Sequence, residues 1–163
     1  MKFFKRMLLV ISALILLLAV AGVTPLSNLN SDEKIERNFL NGLPGVNEQI
    51  LVVKIDDTRA AHPQIGLEYA DVVYVEQVEG GLTRLAAVYS SQLPPLIGPV
   101  RSARISDIEL LAQFGRVGFA YSGAQSKLRP ALAAANLENA SAERNPATIY
   151  TTDPTRVQPY AMV

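Results

Sequence analysis

Apolar residues are distributed along this chain in three regimes. An uncharged, largely apolar run from Met7 to Leu18 comes first, a polar stretch punctuated by Pro, Gly, Ser and Asn follows to Gln49, and short alternating segments fill the rest. In the third regime, residues 50–56 read ILVVKID, a β-branched apolar run ending in acid, which predicts a buried strand with its polar end at a sheet edge. Residues 72–78 predict a second strand, with Val73, Val75 and Gln77 on one side and Tyr74, Glu76 and Val78 on the other. Gly80-Gly81 tolerate the positive φ of a tight hairpin turn. The return strand, residues 83–90, then places Leu85, Ala87 and Tyr89 on one face and Arg84, Ala86 and Val88 on the other.

Pro94-Pro95 and Gly98-Pro99 break the chain before a helix predicted from Ser102 to about Phe114, with Ile105, Ile108 and Leu111 as its apolar stripe. Residues 116–122 predict another strand and residues 126–136 an alanine-rich helix, with Pro130 acceptable in its first turn. Ile149 and Tyr150 are the last strand candidates, and residues 153–163, with two prolines and no period, read as a frayed end. The order predicts a mixed α/β (α+β) layered sandwich: a mostly antiparallel or mixed sheet with a hairpin and two helices.

The first two regimes read as export and tethering. Lys2, Lys5 and Arg6 precede the apolar run, and Ala19-Val20-Ala21 offers a signal-peptidase site. Residues 1–21 are therefore either a cleaved signal peptide or a membrane anchor with its N-terminus in the cytoplasm, and the domain is extracytoplasmic in both cases. Residues 22–48 read as a tether, with a short amphipathic turn that puts Ile35 and Phe39 one helical turn apart, and residues 49–152 as the domain.

Beyond that leader the chain carries 12 basic and 15 acidic residues, a balance that excludes a nucleic-acid partner, which needs a basic face. The absence of cysteine excludes disulfides, thiolate metal sites and a Cys nucleophile. The single histidine, His62, precedes a proline in a loop, and no metal or other cofactor is expected. There is no Gly-x-Ser-x-Gly elbow, P-loop or dinucleotide fingerprint.

What remains is charge where a plain scaffold would not require it. Asp56 ends a buried strand, Glu76, Glu79 and Arg84 belong to the hairpin, and Arg101, Ser102 and Arg104 stand at the predicted helix start. Cations there run against the helix dipole, so two arginines, a hydroxyl and free backbone N–H groups suit an anion. Pairing of the arginines with Glu76, Glu79 or Asp107, and of Arg84 with a hairpin glutamate, is the competing expectation. Glu76 and Glu79, or Asp56, are the candidates for acid–base work, and the odd spacing of the glutamates points them to opposite sides.

The strings ILVVKIDD, HPQIGLEYADVVYVEQVEGGLTR, IGPVRSAR and YSG resemble the YerB-like family of exported bacterial proteins, over roughly residues 38–152. Its members look like lipoproteins, and the family has no assigned reaction. The resemblance implies an exported, tethered α/β domain, usually with a second domain behind it. Two departures stand out: no cysteine follows the leader, and Ala147 and Thr148 replace the His and Asn of an Arg-x-Pro-His-Asn-x-Tyr pattern otherwise met by Arg144, Pro146 and Tyr150. The chain also stops at Val163, so a member lacking its C-terminal domain is one expectation. The functional expectation is a cell-envelope module that binds a polar or anionic ligand, such as an envelope polymer. Its alternatives are a carboxylate-dependent hydrolase of envelope glycans and a non-catalytic interaction domain.

Overall fold

The centre of the structure is the strand β1 (Leu51–Asp56), half of it β-branched and buried along nearly its whole length. The structure, a computed structural model, describes residues 35–145 and 149–163. The candidate leader, Asp32–Lys34 of the amphipathic turn and Pro146, Ala147 and Thr148 lie outside them. Among the described residues no helix is long and apolar enough to cross a membrane.

Five strands form one open sheet in the order β2 (Val72–Gln77), β3 (Thr83–Tyr89), β1, β4 (Val117–Ala120), β5 (Leu137–Asn139). β3 runs antiparallel to both β1 and β2, while β4 runs parallel to β1 and β5 parallel to β4. The sheet is thus mixed. Because β1 is central, the expected edge at its acidic end is absent, and Lys54 and Asp56 are both enclosed.

Alternation along the strands sorts the core into two layers. Val52, Ala86, Val88, Val117 and Phe119 pack beneath α1 (Ile105–Ala112) and α2 (Arg129–Ala134), which contribute Leu111 and Leu132. Val53, Ile55, Leu85, Ala87 and Tyr89 face the other way, under Val100, Ile97 and Met162. Burying each large side chain of this kind stabilises the fold by about 1.5–3 kcal/mol. The two faces of β3 are those the alternation predicts, and Gly80 and Gly81 both take positive φ (74° and 73°) in the hairpin loop.

Several boundaries differ from expectation, each for a tertiary reason. α1 begins at Ile105 because residues 100–103 are held extended: the Arg101 N–H donates to the Lys54 carbonyl (2.8 Å) and the Ala103 N–H to the Gly123 carbonyl (2.9 Å). The predicted second helix divides into a helical turn, Ser126–Leu128, and α2, which ends at Ala134, and β5 follows at Leu137. Tyr150 joins no strand; its hydroxyl donates to the Ala140 carbonyl (2.6 Å).

The segment read as a tether is structured from residue 35, where Asn38 is buried and donates to the Val46 carbonyl (2.9 Å). Ile35 and Phe39 form no helical turn and are both exposed. The end read as frayed folds back: Thr151 and Val163 exchange two backbone hydrogen bonds (2.9 and 3.1 Å), and the Val100 N–H donates to the Met162 carbonyl (2.8 Å). That close approach explains Gly98, where an added Cβ would stand 2.7 Å from the Val163 Cγ1.

Candidate functional site

The helix-covered face of the sheet changes from apolar to charged at one end. There Asp56 on β1, Arg84 on β3 and Glu76 on β2 stand in one row across three strands, as register partners in turn. Simple cross-strand pairing would give Arg84 two carboxylates. It takes neither.

Glu76 is held by Lys54, two residues before Asp56 on β1 and therefore on the same face. The Lys54 ammonium is wholly enclosed, binds Glu76 and stands 2.6 Å from the Asp107 Oδ1 on α1. Ser106 donates to the other Glu76 oxygen (2.7 Å), and the Arg104 backbone N–H donates to the Asp107 Oδ2 (2.6 Å). Asp107 thus binds the N-cap N–H of α1 from within the helix.

One ammonium against two carboxylates leaves this buried group short of a positive charge. Burial pushes the Asp107 carboxyl up to about 6, despite the opposing pull of Lys54. For Glu76 burial also acts upward, but hydrogen bonds from Lys54 and Ser106 outweigh it and hold the group below the ordinary glutamate range.

Asp56 is bound by the Arg101 guanidinium, and its Oδ1 accepts the Thr58 backbone N–H (2.7 Å). Burial raises its carboxyl, and the bonds from Thr58 and Arg101 overcome that and lower it. The Arg101 guanidinium carbon also lies 5.4 Å from the centre of the Tyr160 ring, a cation–π contact. Arg104 pairs with Glu79 (2.7 Å), which is largely exposed.

Arg84 is left with a carbonyl. It donates to the Ser102 oxygen at 2.8 Å, and Arg104 reaches the same oxygen at 3.4 Å. Among the described residues Arg84 has no ion-pair partner. Burial, and then the positive charges of Arg104 and Arg101, make its guanidinium less basic than usual. Ser102 contributes that carbonyl and sets its hydroxyl 3.4 Å from the Ser122 hydroxyl.

Three arginines therefore converge at a rim where two carboxylates, Asp56 and Glu79, are within ion-pair reach of them. Glu76 belongs instead to the interior group of Lys54, Ser106 and Asp107. Sequence reasoning missed Lys54 as a site residue; the signal was a lone lysine in the apolar run ILVVKID. It also missed Tyr160, since only the folded-back end brings it to Arg101.

Other acids are engaged elsewhere. Asp71 accepts the backbone N–H groups of Ser90 and Ser91 (2.6 and 2.8 Å), and His62 lies 3.2 Å from Asp57 at an exposed loop. A cleft of about 380 Å³ opens beside the rim, lined by Glu79, Arg104, Ile105, Gln125, Lys127 and Leu128. A larger cavity of about 600 Å³, mostly apolar and lined in part by Leu93, Leu96 and Tyr150, lies on the opposite side of the sheet and touches none of the charged residues.

Comparison with known families places this arrangement. The family described as Protein of unknown function (DUF3048) N-terminal domain matches residues 40–163. The chain belongs to this family. The DUF3048 domain here is 35 % identical over 80 residues to a Bacillus subtilis (strain 168) protein named "Putative lipoprotein YerB", an alignment covering 49 % of this chain and 21 % of that protein. Its fold is similar to the crystal structure of YerB from Bacillus subtilis, with a TM-score of 0.69 and 26 % identity over 78 % of this chain and 45 % of that one. The chain thus spans less than half the length of the relatives it matches. These likenesses agree with the family resemblance read from the hairpin and arginine strings.

Proposed function

We propose that this domain is an extracytoplasmic binding module that holds an anionic group of the cell envelope at the rim formed by Arg84, Arg101 and Arg104. The observation that carries the reading is Arg84: a half-buried guanidinium crowded by two others and tied only to a carbonyl. Like charges at such separations repel, more strongly where water is partly excluded. An anion seated there relieves that repulsion and satisfies N–H groups left over by the Ser102 carbonyl. The placement outside the cytoplasm rests on the basic and apolar leader and on the lipoprotein name of the relative. The N-terminal segment then supplies the membrane association.

A glycan hydrolase needs two carboxyl groups facing one cleft, roughly 5–9 Å apart. Glu76 is held by Lys54 and Ser106, Glu79 by Arg104 and Asp56 by Arg101, so the catalytic reading draws no support from the geometry. The binding reading is tested by calorimetric titration of the domain with inorganic pyrophosphate at low ionic strength. Saturable binding that Arg84→Ala lowers at least about tenfold is the expected result, one tenfold step being about 1.4 kcal/mol. Equal affinity of the variant and the parent would overturn it.

A further inference from the structure

The cleft beside the rim extends the site past a single anion. Arg104, Glu79, Lys127 and Gln125 line it with polar groups, and Ile105 and Leu128 with apolar ones. Lys127 has no ion-pair partner among the described residues, so the cleft carries an uncommitted cation besides Arg104. Ile105, two-thirds exposed at the first position of α1, gives the cleft an apolar side chain.

We infer that the site takes a linear polyanion whose charges are separated by a short polyol spacer, a phosphodiester-linked chain, with one phosphate at Arg84 and Arg104 and the next at Lys127. This inference rests on the anion-binding reading above and gives its ligand a class. Arg104 and Lys127 line the same cleft, so successive negative charges of one chain can engage both at once. Holding two linked charges raises affinity beyond either contact alone, because the second binds at the high effective concentration set by the tether. Between the phosphates, spacer CH groups lie on Ile105 and Leu128. The Glu79 carboxylate accepts from spacer hydroxyls and the Gln125 amide pairs with them in either sense.

The test compares synthetic poly(glycerol phosphate) with monomeric glycerol phosphate, by calorimetry on the whole chain in detergent. The expected result is at least about tenfold tighter binding of the polymer per chain, with Lys127→Gln removing that advantage and leaving the monomer affinity within about twofold. The log-affinity against log-salt slope for the polymer should also fall by about one in that variant. Polymer bound no more tightly than monomer, or a Lys127→Gln variant that keeps the advantage, overturns the inference while the single-anion reading stands. Monomer binding untouched by Arg84→Ala removes both. Binding to phosphatidylglycerol vesicles in place of the soluble polymer also overturns it, since it would assign the phosphates to a membrane surface.

Discussion

Arg84 and Arg104 donate to one carbonyl oxygen, that of Ser102, at 2.8 and 3.4 Å. Arg104 also holds the Glu79 carboxylate, whereas Arg84 has the carbonyl alone, an arrangement that folding by itself would not favour, since a guanidinium is better matched by a carboxylate. The row Asp56–Arg84–Glu76 shows the alternative was available, as both acids are register partners of Arg84. They are drawn off by Arg101 and Lys54. The excess positive charge at the rim follows from that competition.

Removing Arg84 should therefore cost little stability. Arg84→Ala forfeits one hydrogen bond, a net contribution of about 1 kcal/mol, and relieves repulsion from Arg101 and Arg104. Urea unfolding of the variant is expected to lie within about 1 kcal/mol of the parent. A loss of several kcal/mol would mean that Arg84 is structural.

Lys54 should behave in the opposite way. Lys54→Met leaves the Glu76 and Asp107 carboxylates in the interior without their shared cation. Removing one member of a buried ionic group costs about 3–5 kcal/mol. The check is the urea midpoint at neutral pH, with partial recovery expected on adding Glu76→Gln and Asp107→Asn.

The pH dependence of stability should carry a component from Asp107. Its folded-state pKa, about 6, lies above the ordinary value of 3.8, so the folded state holds the proton more tightly. The associated stability is fully present below about pH 4 and is lost as pH rises through 6, by an amount on the order of 2–3 kcal/mol. Asp56 and Glu76, both lowered, act in the reverse sense: their stability is present above the ordinary carboxylate range and disappears on acidification. Subtracting the Asp107→Asn profile from that of the parent isolates the first component, which should decline from pH 4 to 6. A flat difference would contradict the assignment.

Gly98→Ala should loosen the C-terminal end. Its Cβ would meet the Val163 Cγ1 at 2.7 Å and the Met162 carbonyl at 3.0 Å. Overpacking of this kind typically costs about 1–3 kcal/mol. Thermal unfolding measures the loss, and faster amide exchange at Val100 and Val163 would locate it.

Glu79→Gln bears on the rim directly. It removes the exposed carboxylate that pairs with Arg104 and so strengthens the local positive field. Pyrophosphate affinity is expected to rise, and a fall would contradict the excess positive charge assigned to the rim.

Much of the scaffold was legible in the residues themselves. Alternation in β3, the glycines of the hairpin and Pro130 in the first turn of α2 are local signals, set by side-chain period and backbone allowance, and they act over a few residues wherever the chain lies. The cluster of charges in the hairpin and before α1 was legible for the same reason, because it breaks those local rules. Which charge meets which was not. Lys54 and Asp107 are 53 residues apart and meet because β1 is central and α1 crosses its face. The strand β5 and the closing pair Thr151–Val163 exist because neighbouring backbone offers unpaired groups at that point. Ion pairing depends on distances of a few ångströms between residues remote in sequence, and those distances are set only when the sheet has closed and the helices have settled upon it.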